Sequence, residues 1–325
     1  MNDLDRFVGI FDGIEPWRGD VPPGFRANVL GVLTAHAFAP REGAGGATPS
    51  QSATGADDFV DRPPRVSDGE AFFEWVTMVA AVRAARDRFT MVELGAGYAA
   101  RSVDAHALLR RFNPLPARFV VVDGSPHHID WAKRHFAANG LDPGAHWFVH
   151  AVVYVTGQPQ LFAYAPGVYY SAGLGREGGD EVLTAIRSQG LTETVLEGLI
   201  LHGRTNLDFP MPSAPGGHFR VDLTSGIKVE TLLTPLDAVD LMDVDIQNAE
   251  AVVIPDAMPA LAKKVRRLHI GTHTHAIHGE LELRLAQAGW KIVFTYPPDS
   301  LITTPYGAFT TSDGILTVVN RGLLA

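Results

Sequence analysis

Up to about Val66 the apolar positions of this chain follow no sustained period. Asn28–Phe38 is the exception, because Leu30, Leu33 and Ala37 recur at helical spacing and predict one short helix. Arg41–Asp57 is rich in Gly, Ala, Ser, Thr and Pro and reads as a flexible loop. Asp61-Arg62-Pro63-Pro64 is a further break. Residues 1–66 therefore read as an N-terminal extension able to fold over the rest as a lid.

Regularity begins at Ser67. Ser67-Asp68-Gly69-Glu70 has the Ser-x-x-Glu spacing of a capping box and predicts a helix over Glu70–Arg86, with Phe73, Val76, Thr77 and Ala80 on one face. Phe89–Leu94 is a short apolar run ending in Gly95-Ala96-Gly97, and a helix is expected over Ala99–Arg111. After Asn113-Pro114-Leu115-Pro116 come a strand, Arg118–Val122 closed by Asp123, a helix, Pro126–Asn139, and a third strand, His146–Val153. Apolar strands without clean alternation, separated by helices, belong to a parallel sheet covered on both faces. In such a doubly wound α/β sheet the ligand lies beyond the strand carboxyl ends.

Residues 156–228 interrupt the alternation. They are rich in Gly, Pro, Tyr and Thr, with one helical piece near Asp180–Gln189 and strands expected at Thr192–Leu201 and His218–Leu223. So long an insertion points to a role in function. Strands follow at Ala238–Ile246 and Lys263–Gly271, then a helix over Gly279–Ala288. Trp290–Phe294 and Gly314–Asn320 are expected to pair antiparallel at a sheet edge.

Composition narrows the class. With 46% hydrophobic residues over 325, the chain can bury a sizeable core. A formal charge of −9 repels phosphate backbones, so nucleic acid is not the expected partner. The absence of cysteine excludes disulfides, thiolate zinc sites and cysteine nucleophiles. No stretch approaches a membrane span and Met1–Arg6 lacks the pattern of a secretory signal, so a cytoplasmic protein without a membrane partner is expected, with a homo-oligomer left open.

The candidate chemistry starts at Glu93-Leu94-Gly95-Ala96-Gly97-Tyr98, where a strand turns into a helix. Glycines there let backbone approach a ligand, and the helix supplies free amides. Asp123, at the tip of the next strand, has two acceptor oxygens suited to ribose hydroxyls, or it serves the following helix dipole. Tyr98 either touches a ligand or packs under the N-terminal extension.

Phe89–Gly97 looks like motif I of class I S-adenosylmethionine-dependent methyltransferases, and Val120-Val121-Val122-Asp123 looks like motif II. Pro235–Glu250 is similar to the FkbM-type signature, which runs Leu-Asp, a few residues, Asp-Leu, then Lys-Ile-Asp-Val-Glu-Gly-Ala-Glu. The resemblance covers about Glu70–Asn320. It departs at Asp243, Gln247 and Asn248, where the pattern has Lys, Glu and Gly. It implies a mostly parallel seven-stranded sheet and S-adenosylmethionine as cofactor. Gly95 and Gly97 would touch its methionine part with Glu93 in support, Asp123 would hold the ribose, and His150 and Ala151 would border the adenine. Ala96, Tyr98, Gly124, Ser125 and Asp243 complete the implied set. The reaction implied is O-methylation of a small-molecule or sugar-containing acceptor. An NAD(P)-dependent oxidoreductase and a non-catalytic adenosyl-ligand-binding protein are the alternatives.

Such a transfer needs positioning and, for a hydroxyl acceptor, a base. Leu268–His278 holds four histidines, His269, His273, His275 and His278. His273 is the expected base, with Asp245 as its orienting partner and His275 and His278 on the loop. The competing readings are ordinary polar loop residues without a chemical role, and a divalent metal on Asp243, Asp245, His273 and His275, which is not favoured. His127 and His128 are expected at the surface.

Overall fold

The computed structural model describes residues 3–38, 58–164, 171–173, 192, 207–210 and 218–324. Its centre is a seven-stranded sheet built from β1 (Phe89–Leu94), β2 (Ala117–Asp123), β3 (Trp147–His150), β4 (Leu241–Val244), β5 (Arg267–Thr272), β6 (Lys291–Tyr296) and β7 (Gly314–Val319). The strand order is β6-β7-β5-β4-β1-β2-β3. β3, β2, β1, β4 and β5 run parallel, and β7 runs antiparallel to both β5 and β6. The expected antiparallel pairing of the last two strands is present, with β7 inserted inside the sheet and β6 at its edge.

The sheet is buried on both faces, as its apolar strands require. Phe89, Met91, Phe119 and Val121 pack against α1 (Glu70–Ala84), α2 (Ala100–Phe112) and α3 (Pro126–Ala138). Their neighbours Val92, Leu94, Val120 and Val122 face the other way, toward α4 (Val229–Leu233), α5 (Glu250–Lys264) and α6 (His275–Gln287). The period of two thus sorts each strand between two helical layers. Among the described residues no helix is long and apolar enough to cross a membrane.

Several local expectations are corrected. Asn28–Phe38 is not a helix; Phe25–Ala27 and Leu33–Ala35 form an antiparallel hairpin. The cause is local, since the Asn28 side chain accepts from the Leu30 and Val32 amides and Gly31 takes a positive φ of 81°. The capping box does not form at Ser67. Gly69 precedes α1 without a side-chain cap, and Asp68 instead accepts from the Arg65 amide and from Arg62. β5 begins at Arg267 because Lys263 and Lys264 end α5, despite Pro255 and Pro259 within that helix. α6 begins at His275, capped by Thr274, which carries His275 and His278 off the expected loop and onto a helix.

The described part of the N-terminal extension is built into the core. Leu4 is 1% exposed, Phe7 and Phe11 meet Phe294 and Phe72 edge to face, and Asn28 donates to Asp104 on α2. The flexible loop expected at Arg41–Asp57 lies outside the described residues. In the insertion, Gln160–Tyr164 and His218–Thr224 form the middle of a four-stranded antiparallel sheet, flanked by Ser171–Gly173 and Leu207–Pro210. The helix near Asp180–Gln189 and the strand at Thr192–Leu201 fall outside the described residues, Thr192 apart.

Candidate active site

The strand register builds the site. Glu93 on β1 lies beside Asp243 on β4, Asp243 beside His269 on β5, and His269 beside Thr317 on β7. Four polar side chains therefore form one row across four strands near the carboxyl ends of β1 and β4. Two acids of α1, Glu70 and Glu74, and Arg101 of α2 close the same small cleft, together with Gly95, Asp245 and Gly271.

Glu93 is 3% exposed and serves the start of α2, accepting from the amides of Arg101 and Ser102 and from the Ser102 hydroxyl. Burial still raises its pKa to about 7. Desolvation is also the main cause for Glu70, Glu74 and Asp243, each pushed up to about 8, with neighbouring carboxylates adding to the shift and Arg101 opposing it. Arg101 is ion-paired to Glu74. His269 moves the other way, held neutral by burial with a pKa near 3, and its Nδ1 meets the Thr317 hydroxyl at 2.8 Å.

Gly95 takes φ +74° and lies so close to β4 that a Cβ would stand 1.6 Å from the Asp245 carbonyl oxygen. Only glycine fits there, and the reason is contact with the protein's own backbone. Its amide and that of Ala96 donate to the Val122 carbonyl at the end of β2.

Asp123 is where the expectation meets its strongest qualification. Its carboxylate is 4% exposed; Oδ2 accepts from the Gly97 amide at 2.9 Å, and Oδ1 takes the Ser125 amide at 2.7 Å and His128 Nδ1 at 3.1 Å. His128, expected at the surface, is buried as this partner. Phe162 of the insertion covers Gly124, and the exposed His150 ring bonds the Gly124 carbonyl at 2.9 Å. Ala151 is buried, its amide on the Asp123 carbonyl. Tyr98 packs under the N-terminal extension, stacked on Phe38 at 6.0 Å.

Beyond β4 and β5 lies a charged triad. His273 Nδ1 is 2.7 Å from Glu250 Oε1, and its Nε2 is 3.2 Å from Asp245 Oδ1, without hydrogen-bond geometry. Glu250 is fully buried with Oε2 unpartnered, and Asp313 stands 3.9 Å from His273. Burial opposes charge on the imidazole, but Asp245 and Glu250 outweigh it and push the pKa to about 10. The acids beside it favour the imidazolium, which works against the role of base expected for His273, and Asp245 next to it is half-exposed. Gln247 and Asn248 have φ of 51° and 70°, and asparagine tolerates the left-handed conformation where the FkbM-type pattern has glycine.

Asp245 and His273 are therefore together, whereas His275 sits on α6 and His278 is buried between Thr272 and Thr295. Among the described residues no group of three or more His, Asp or Glu is arranged to hold a metal ion. Sequence reasoning missed Glu70, Glu74 and Arg101. A signal existed for the first two: two acids four residues apart on an otherwise apolar helix share one face.

No family model matches the chain. A protein from Jannaschia sp. (strain CCS1) bearing the name "Putative methyltransferase" is 23% identical over 226 residues, which cover 69% of this chain and 70% of that one. Among solved structures, precorrin-6y C5,15-methyltransferase from Geobacter metallireducens GS-15 aligns over 75% of this chain and 86% of its own, at 10% identity and a TM-score of 0.36. Ribosomal protein L11 methylase from Lactobacillus delbrueckii subsp. bulgaricus aligns over 84% and 91%, at 11% identity and a TM-score of 0.35.

Proposed function

We propose that this protein is an S-adenosylmethionine-dependent methyltransferase of FkbM type, acting on an oxygen of a small-molecule or sugar-containing acceptor. The observation that carries the reading is the Gly95-Ala96-Gly97 turn, set at the carboxyl end of β1 between the Asp123 carboxylate on one side and Asp243 and Asp245 on the other. The relative from Jannaschia, named as a putative methyltransferase, supports methyl transfer as the reaction.

The donor set fits the group. Arg101 and the acids around it suit the carboxylate and ammonium of an amino acid. At the sugar end Asp123 fits on a condition: three of roughly four lone-pair positions are taken, so a ribose shares the carboxylate by loosening His128. When bound, the cofactor supplies a methyl group on a positively charged sulfur. The chain's own part is to orient and to move a proton. Asp245 accepts the proton of the acceptor hydroxyl, and the adjacent His273 imidazolium, anchored by Glu250, holds that carboxylate in place.

Calorimetric titration tests the reading. S-adenosylhomocysteine is expected to bind and NAD to fail; the reverse result replaces it with the oxidoreductase alternative. Asp123→Asn is expected to weaken S-adenosylhomocysteine by about 1–3 kcal/mol through lost charge-assisted hydrogen bonds. Ligand binding with no methylation across hydroxylated metabolites leaves a binding protein in place of an enzyme. Activity unchanged by EDTA is the expected result for a site without a metal.

A further inference from the structure

A second cavity, of about 360 Å³, lies between the N-terminal hairpin and the first turns of α1 and α2. Its size falls within the range of small-molecule pockets. Trp75 and Tyr98 give it aromatic wall, and His135 closes one side. Burial pushes the His135 pKa down to about 4, and its two ring nitrogens are spent on the Tyr98 carbonyl and the Thr34 hydroxyl. This part of the wall is neutral at physiological pH.

Three guanidinium groups line the cavity, and two are already neutralised. Arg62 grips Asp68 through both terminal nitrogens, at 2.5 and 3.1 Å, and Arg101 is paired with Glu74. Arg26, on the first strand of the hairpin, lines the same space, and its guanidinium makes no hydrogen bond or ion pair with any described residue. A partly buried guanidinium without an acceptor is costly, and its planar fork matches a carboxylate in a bidentate pair. The acids on the wall, Asp68, Glu74 and Asp104, set the charge of the guest. One unpaired cation balances a monoanion, whereas a phosphate dianion would bring surplus negative charge beside three carboxylates.

The cavity also adjoins the chemistry. Glu74, Ala100 and Arg101 line both it and the cleft holding Gly95, Asp243 and Asp245, so the two spaces meet at the Arg101–Glu74 pair. We propose that this cavity receives the methyl acceptor, and that the acceptor is a small monocarboxylic acid with a flat apolar body, its carboxylate held by Arg26 and its body against Trp75 and Tyr98. The acceptor role rests on the methyltransferase reading; the binding of a carboxylate does not.

The test uses the full chain and three monocarboxylates, benzoate, cinnamate and 4-hydroxybenzoate, each against its uncharged amide, by calorimetry with and without S-adenosylhomocysteine. At least one acid is expected to bind about tenfold or more tighter than its amide, a difference in the range of one charge-assisted pair. Arg26→Met is expected to erase that preference and leave S-adenosylhomocysteine affinity and the thermal midpoint unchanged, and Arg26→Lys to restore part of it. No binding by any of the three acids at millimolar concentration overturns the proposal. Equal affinity for acid and amide, or an acid preference that survives Arg26→Met, overturns it too. Failure of S-adenosylhomocysteine to bind while the acid preference stands overturns the methyltransferase reading and the acceptor role, and leaves the carboxylate site.

Discussion

The two flanks of β1 are built on opposite principles. On the β2 side, the turn is tied down by hydrogen bonds: Gly95 and Ala96 donate to Val122, Gly97 and Ser125 donate to Asp123, and Phe162 covers Gly124. On the β4–β5 side, titrating groups outnumber partners. Glu70, Glu74 and Asp243 crowd around one arginine, Glu250 keeps a buried oxygen without a hydrogen bond, and His273 is charged to hold two carboxylates together. A saturated region has been optimised for a single geometry. A region of buried acids short of partners is costly to the fold, and strongly shifted titrating groups gather where chemistry is done.

Breaking the turn between the two flanks gives the largest expected effect. Gly95→Ala places a methyl into the Asp245 carbonyl and strains a left-handed backbone, so unfolding free energy is expected to fall by about 4 kcal/mol or more. Gly140 is the control, since it has nearly the same φ, 75°, and open space around it. Gly140→Ala should cost only about 1 kcal/mol. Urea titration of both variants separates close contact from backbone strain, and equal losses would show that the approach to Asp245 matters little.

The charged flank is sharpened by His273→Ala, which leaves Glu250 buried without its cation. Stability should drop by about 3 kcal/mol and methyl transfer by about 10²–10⁴-fold. Adding Glu250→Gln to that variant removes the stranded charge, and the thermal midpoint is expected to recover while transfer stays low. Recovery of both would reduce the triad to a structural element.

A smaller effect is expected from pH. Glu70, Glu74 and Asp243 titrate near 8 in the folded chain, above their ordinary carboxylate values, so the folded state holds more protons between about 4 and 8 and loses stability as pH rises through that window. His273 acts in the same direction, since the stability it contributes is complete below about 6.5 and is lost as pH rises toward 10. The buried His269 and His135, with folded values near 3 and 4, act the opposite way below about 6.5, so the thermal midpoint should fall from about pH 7 to pH 10. Glu70→Gln should flatten the lower part of that slope by no more than about 2 °C. A midpoint that rises across this range would mean the acids are solvated and that the two flanks do not differ as described.

Local chemistry made much of this legible before any coordinates. Phe89–Leu94, Ala117–Asp123 and Pro126–Ala138 lie within a residue or two of their expected bounds, because apolar runs, a glycine turn and a proline at a first helical position act over short distances. Where a local rule had a local competitor, the competitor won. The Asn28 side chain and Gly31 turned an apparent helix into a hairpin, and Thr274 pulled α6 back to His275.

By itself, then, the chain of residues determined the order and kind of the central strands and helices, the turn at Gly95–Gly97, and the end of the sheet at which Asp123 and Asp245 would lie. The tertiary structure alone decided which groups face one another. Glu93, Asp243, His269 and Thr317 come from four segments and meet through strand register, while Glu74 and Arg101 meet through the packing of α1 on α2. The charge of His273 depends on Asp245 and Glu250, which lie 28 and 23 positions earlier in the chain. Spacing within a helix or strand is fixed by the backbone's own repeat, whereas burial and the distance between charges exist only once the layers have closed.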